Sequence, residues 1–207
     1  MRHPQIALMS DDIYEHIRYD GREFVTALQV EPRLRERTLV VNGVSKAYAM
    51  TGWRIGYGAG PASLINAMIK LQSQSTSNPC SISQAASIAA LTGPQDSVLA
   101  NTAMFQKRRD RVFELLNAIP GVSAHRPEGA VYAFPSCKSF LGRRTRSGKI
   151  IETSDDFVMH LLESQNLAAL PGSVYGIEGY FRTSVAASIE ELEDGCARIA
   201  RACAELE

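Results

Sequence analysis

Short continuous apolar runs alternate along this chain with longer stretches whose apolar residues recur every three or four positions, the pattern of an α/β protein. Residues 6–9 (IALM) form the first run and predict a buried strand whose end delivers Ser10, Asp11 and Asp12. The run Leu39, Val40, Val41 predicts a second buried strand, broken at Asn42-Gly43, and a further apolar segment follows at 53–57. Gly52, Gly56, Gly58 and Gly60 crowd this region and let backbones approach closely or turn sharply. Behind Pro61 the period becomes helical: Leu64, Ile65, Met68 and Ile69 predict a helix over 62–71. The polar segment 72–79 has no period. Alanine-rich 81–91 predicts a tightly packed helix, and 95–118 a long one stopped at Pro120-Gly121.

From residue 122 the pattern is that of a smaller α/β unit. It predicts a strand over 131–134 and a helix over 155–165 with Phe157, Val158, Leu161 and Leu162 turned inward. A short strand over 167–170 follows, then an alternating one over 180–186 with Phe181, Thr183 and Val185 on one face and Arg182 and Ser184 on the other. Ser188 and Glu191 form a capping box that opens a last helix carrying Leu192, Ile199 and Cys203. The long helix then joins two bodies, residues 1–107 and 108–207.

Composition narrows the function classes. Lys+Arg and Asp+Glu balance at 22 each, so no overall field draws the chain to nucleic acid or an anionic membrane. No apolar run approaches the roughly 20 residues of a bilayer span, and the first residues lack the order of a secretory signal. Cys80, Cys137, Cys196 and Cys203 contain no CxxC, which argues against a zinc site and a disulfide framework; Cys196 and Cys203 read as small core residues of one helix. The four histidines are scattered and read as structural or exposed. The expected setting is the cytoplasm.

The candidate chemistry clusters in two places. Lys46 stands just past the break in the second strand, where an amine is poorly solvated and the neutral, nucleophilic form is favoured. By spacing alone an ordinary surface lysine beside a loop is the plainer reading. Asp11 sits at a strand's carboxyl end, where open α/β sheets bind ligands, with Tyr14 one helical turn on. Asp12 competes with it, and the spacing to Tyr14 favours Asp11. An acid there also serves as a helix N-terminal residue. Arg54 follows Lys46 by eight residues, and Arg182 lies on the late strand, where a solvated arginine is the plain alternative. The basic cluster 143–149 lacks interleaved aromatics, which speaks against RNA contact.

Taken together, SDDIYEH (residues 10–16), VNGVSKAYAMTGWRIGYGAGP (41–61), PGSVYG (171–176) and YFRTSVA (180–186) resemble the fold type I, pyridoxal-phosphate-dependent aminotransferases of class I/II. The lysine segment is most similar to the bacterial aspartate aminotransferase subgroup, and the resemblance runs the length of the chain. It implies the C-terminal part of a large cofactor domain followed by a small C-terminal α/β domain. It implies pyridoxal 5'-phosphate as cofactor, with Lys46 as the Schiff-base lysine and proton carrier. Asp11 would pair with the pyridine nitrogen, Tyr14 with the phenolic oxygen, and Ser45 and Arg54 with the phosphate. Arg182 would bind the substrate α-carboxylate. Gly43 stands where some members carry another phosphate-binding serine.

The implied activity moves an amino group from an amino acid, aspartate first, to a 2-oxo acid such as 2-oxoglutarate. Aromatic amino acids or prephenate come second, and a lyase or synthase of the same fold type third; a non-catalytic binding fragment is the distant alternative. Ser73 occupies the place where some members hold a side-chain carboxylate with arginine. The family's dimers imply that residues 75–79 face a neighbouring subunit. Met1 falls where homologous chains continue upstream, so the chain reads as the C-terminal half of a larger enzyme, with sheet edges and apolar surface uncovered.

Overall fold

The computed structural model describes residues 3–207, which fall into two compact units divided between Thr102 and Ala103. In the first unit, β1 (Leu8–Asp11) lies parallel to β2 (Thr38–Gly43), and β3 (Gly56–Ala59) pairs antiparallel with β2. The parallel pair needs a crossover, supplied by the segment holding α1 (Ala27–Val30) and the 3-10 turn Pro32–Arg37. Register sets Asp11 opposite Val41 and Gly43 opposite Gly56. Gly43 is required here: a Cβ on it would stand 2.8 Å from the Ile55 carbonyl oxygen. Helices α2 (Ala62–Ser75), α3 (Ser81–Thr92) and α4 (Asp96–Asn117) follow, and the boundary between units falls within α4.

β1 begins two residues later than its sequence suggests and is not buried on both faces. Its residues alternate between half-buried and exposed, and Ile6 and Met9 lie open to solvent. The third strand also lies later than the apolar segment 53–57; Thr51–Trp53 is instead a 3-10 turn. All four residues of β3 are exposed, α2 buries no residue, and α3 buries only Ser83 and Ser87 while Ile82 and Ile88 face outward. The uncovered apolar surface expected from the sequence is therefore present on this unit. Among the described residues its buried apolar side chains are few: Ile17, Tyr19, Val44, Ala47 and Val98.

The second unit has a three-stranded antiparallel sheet in the order β4 (Tyr132–Ala133), β6 (Phe181–Ser184), β5 (Leu170–Pro171). Helices α5 (Ser154–Gln165) and α6 (Ile189–Ala204) both open with full capping boxes, Thr153 with Asp156 and Ser188 with Glu191. Phe157 lies at the centre, its ring 5.6 Å from Phe140 and 5.2 Å from Phe181. On α5 the inward positions are Phe157, Val158 and Leu161 as expected, but Leu162 points to solvent. His160 takes an inward place because its Nε2 meets the Ala202 carbonyl oxygen at 3.0 Å, near the end of α6. Cys196 and Cys203 are buried on α6, in the core role expected of them. Phe181 and Val185 face inward on the late strand, as its alternation predicts.

The basic cluster 143–149 is absorbed by local structure. Arg143 donates to the Ser139 and Leu206 carbonyls, Arg144 exchanges backbone hydrogen bonds with Glu207, and Lys149 pairs with Asp156 at 2.9 Å. Among the described residues no helix is long and apolar enough to cross a membrane, and no group of three or more His, Cys, Asp or Glu could hold a metal ion.

Candidate active site

The topology of the first unit brings five of the candidate residues to one end of its sheet. β1 and β2 are parallel, so their carboxyl ends lie together; β3 is antiparallel, so its start lies at that same end. Asp11 ends β1, Tyr14 follows in the next turn, Ser45 and Lys46 follow β2, and Arg54 precedes β3 by two residues.

Lys46 is held by its neighbours in sequence. Val44 and Ala47 are buried on either side of it and anchor the turn, leaving Ser45 and Lys46 half-exposed. The turn is braced from below. Asn42, itself buried, donates through Nδ2 to Glu15 at 2.7 Å and accepts the Gly43 amide at 2.7 Å. Tyr48 donates to Gln95 at 3.0 Å. The Lys46 Nζ lies 5.8 Å from the centroid of the Tyr14 ring, within cation–π range.

The two aspartates at the end of β1 have different lots. Asp12 is buried, accepts the Ser10 hydroxyl at 2.7 Å, and donates its backbone amide to Val41. Its carboxylate is thus used within the fold. Asp11 is exposed, and one of its oxygens accepts the Ile13 amide at 3.2 Å, leaving the other side of the carboxylate open.

Two left-handed residues that are not glycine stand in the lysine segment. They are Ala49 (φ 53°) and Arg54 (φ 56°), and they flank the turn Thr51–Trp53. Each such residue costs of order 1 kcal/mol or more and persists where the surroundings over-determine it. Arg54 is exposed and donates to the Thr51 carbonyl at 2.7 Å. The cavity of about 600 Å³ in this unit lies at the opposite end of the sheet, around Thr38 and Ala59, away from these groups.

Arg182 belongs to the second unit. It sits on β6 opposite Leu170, with its guanidinium carbon 4.3 Å from the Tyr132 ring centroid and 4.9 Å from that of Tyr175. These two tyrosines are not legible as its neighbours in the sequence, because strand register and a turn bring together segments 50 residues apart from Tyr132 to Arg182. The only hint is the aromatic residue within PGSVYG. Ser73, at the end region of α2, is exposed and donates to the Lys70 carbonyl at 2.8 Å.

Comparison with known proteins gives a consistent set of relatives. The family model described as aminotransferase class I and II matches residues 1–199. A protein named aspartate aminotransferase from Rhizobium meliloti is 56% identical over 206 residues, 100% of this chain and 50% of the relative. A probable aspartate/prephenate aminotransferase from Rickettsia felis is 53% identical over 205 residues, 99% of this chain and 50% of the relative. The crystal structure of the Rhizobium meliloti aspartate aminotransferase superposes with a TM-score of 0.95 at 56% identity, covering all of this chain and 52% of that one. An aromatic aminotransferase structure from Pyrococcus horikoshii matches with a TM-score of 0.84 at 34% identity, covering 95% and 50%. The chain spans about half the length of the curated relatives it matches.

Proposed function

The chain belongs to the class I and II aminotransferases, a family that in general depends on pyridoxal phosphate, and we propose that it takes part in transamination between aspartate and 2-oxoglutarate. Residues 1–107 would be the C-terminal part of the large cofactor domain and 108–207 the small domain. The observation that carries this reading is the Lys46 amine 5.8 Å over the Tyr14 ring, at the sheet end where β1 delivers Asp11.

The donor set fits the cofactor group by group. Lys46 offers an amine to an aldehyde carbon, Asp11 an open carboxylate to a ring nitrogen, Tyr14 a hydroxyl to a phenolic oxygen, and Ser45 with Arg54 a hydroxyl and guanidinium to a phosphate. When bound, pyridoxal phosphate supplies a carbonyl to hold the amino group and a ring that takes up electrons released at the substrate Cα. The chain's own residues do the rest. Lys46 would hold the cofactor through its amine, and that same amine would serve as the general base that takes the proton from Cα and the general acid that returns it. Asp11 would pair its carboxylate with the ring nitrogen and so favour a proton there. Tyr14 donates to the phenolic oxygen and stands beside the lysine amine. Arg54 and Ser45 hold the phosphate, while the Gly43 position adds no hydroxyl, since a Cβ there meets the Ile55 carbonyl oxygen. Arg182 grips the α-carboxylate through its planar fork.

Prephenate is the second reading for the acceptor, favoured by the relative named aspartate/prephenate aminotransferase at 53% identity. Both readings concern a cytoplasmic enzyme that works as a pair of identical subunits. The test is chemical. The chain is mixed with pyridoxal phosphate, reduced with borohydride, digested and mapped over its lysines, Lys46, Lys70, Lys107, Lys138 and Lys149. Label confined to Lys46 is expected. Label spread over the others, or absent, would overturn the reading of this chain as the holder of the cofactor.

A further inference from the structure

Arg182 differs from several arginines of its unit in what holds it. Arg198 pairs with Asp194 at 2.7 Å, Arg111 with Glu193 at 2.6 Å, Arg126 with Asp110, and Arg143 with two backbone carbonyls. The contacts of Arg182 are the two tyrosine rings, and among the described residues no carboxylate or carbonyl accepts a hydrogen bond from it. It is half-buried and lines a cavity of about 220 Å³ with Tyr132, Ala168, Leu170, Thr183 and Ser184.

The kind of support matters. An acidic partner would neutralise the guanidinium and occupy its N–H donors, so an incoming anion would have to displace it. An aromatic ring holds the cation through its π face and uses none of the five donors. The two rings are themselves placed by the fold. Tyr132 is opposite Ser184 on β6, diagonal to Arg182, a separation that long side chains bridge. Tyr175 meets Phe134 edge-on at 5.8 Å, and Phe134 stacks on Tyr180 at 5.5 Å. The turn that carries Tyr175 is tight: a Cβ on Gly172 would stand 2.2 Å from the Ile177 carbonyl oxygen.

We propose that Tyr132 and Tyr175 are positioning residues that hold the Arg182 guanidinium in place, with its donors free, for a carboxylate of the amino- or oxo-acid. This rests on the reading of Arg182 given above. The rings act before the ligand arrives, by removing the rotamer freedom that a long arginine would otherwise lose on binding.

The test follows the arginine Nε–Hε signals of the 207-residue chain by NMR during titration with 2-oxoglutarate. The Arg182 signal is expected to move, and Arg182→Gln to abolish binding. Tyr132→Leu and Tyr175→Leu are each expected to weaken binding roughly threefold to tenfold, while Tyr132→Phe and Tyr175→Phe, which keep the ring, stay within about twofold. Leucine variants that bind like wild type, alongside a dead Arg182→Gln, would overturn the role of the rings and leave that of Arg182 standing. A wild-type signal that 2-oxoglutarate leaves unmoved would overturn both. Should a leucine variant fail to fold, the wild type decides: an Arg182 Nε–Hε signal as ordered as the backbone and shifted upfield by the rings supports the proposal, and a mobile, unshifted one overturns it.

Discussion

Helices α2 and α6 are of similar length and both carry apolar residues at helical spacing, yet their fates differ. α6 buries Leu192, Cys196, Ile199, Ala202 and Cys203, whereas α2 buries none of its residues and leaves Leu64, Met68, Ile69 and Leu71 open. The same contrast holds for the units that contain them. Around Phe157 the second unit is packed from several sides; in the first, β3 and most of α3 face solvent. A periodic pattern states which face of a helix seeks cover. It does not state whether this polypeptide supplies the cover.

The largest effect expected from that contrast is on core deletions. Phe157 is fully buried, so Phe157→Ala should cost about 3–5 kcal/mol through lost transfer energy and the cavity left behind. Ile88, at 63% exposed, should change stability by no more than about 0.5 kcal/mol when cut to alanine. Urea denaturation followed by circular dichroism measures both, and the fluorescence of Trp53, the single tryptophan, reports on the first unit. Similar losses for the two variants would break the comparison.

How much of this was legible beforehand divides along the same line. Strand alternation at Phe181 and Val185 and the capping box at Ser188 could be read directly, because both are local. The clustering of Asp11, Lys46 and Arg54 could be expected from strand ends and a resemblance, and the topology sets all three at one end of a sheet. The outward turn of Leu162 and the inward place of His160, whose ring meets the Ala202 carbonyl on a different helix, could not. Nor could the partners of Arg182, which come from register and a distant turn. Nor is the exposure of Met9 legible, because an apolar run looks the same whether one face or two are covered.

A middle-sized effect comes from the thiols. Burial pushes Cys137 and Cys203 up to about 12 and Cys196 up to about 11, from an ordinary value of 9.0. The folded chain thus keeps these protons where the unfolded chain releases them. Their contribution is complete below about pH 9 and is lost as pH rises from there through the folded values, by about 1.4 kcal/mol per pH unit for each thiol. Denaturation followed from pH 8 to pH 11 should show stability level up to about pH 9 and falling with this slope above it, and Cys203→Ala should remove one share of the fall. An unchanged slope in the variant would sink the assignment. In the first unit Cys80 is the opposite case: it is exposed, and the amides of Ser83 and Ile82 at the start of α3 hold its thiol below the usual range. Iodoacetamide at neutral pH should alkylate Cys80 in the native chain and reach the other three only on unfolding.

The smallest effect sharpens the comparison from within the second unit, where two residues of one basic cluster should behave differently. Lys149 pairs with Asp156 across solvent-exposed surface, 2.9 Å apart, with about half of the lysine side chain open. Such pairs contribute about 0–1 kcal/mol and weaken with salt. Arg143 packs on the Phe140 ring at 5.3 Å and donates to the carbonyls of Ser139 and Leu206, one of which lies at the chain's far end. Its loss removes packing as well as charge and leaves the Leu206 carbonyl short of a donor. Arg143→Ala should therefore destabilise the unit more than Lys149→Ala, and its effect should persist in high salt while that of Lys149→Ala fades. If both variants respond alike to salt, the cluster is a solvated charge patch, and packing in the second unit stops short of its basic loop.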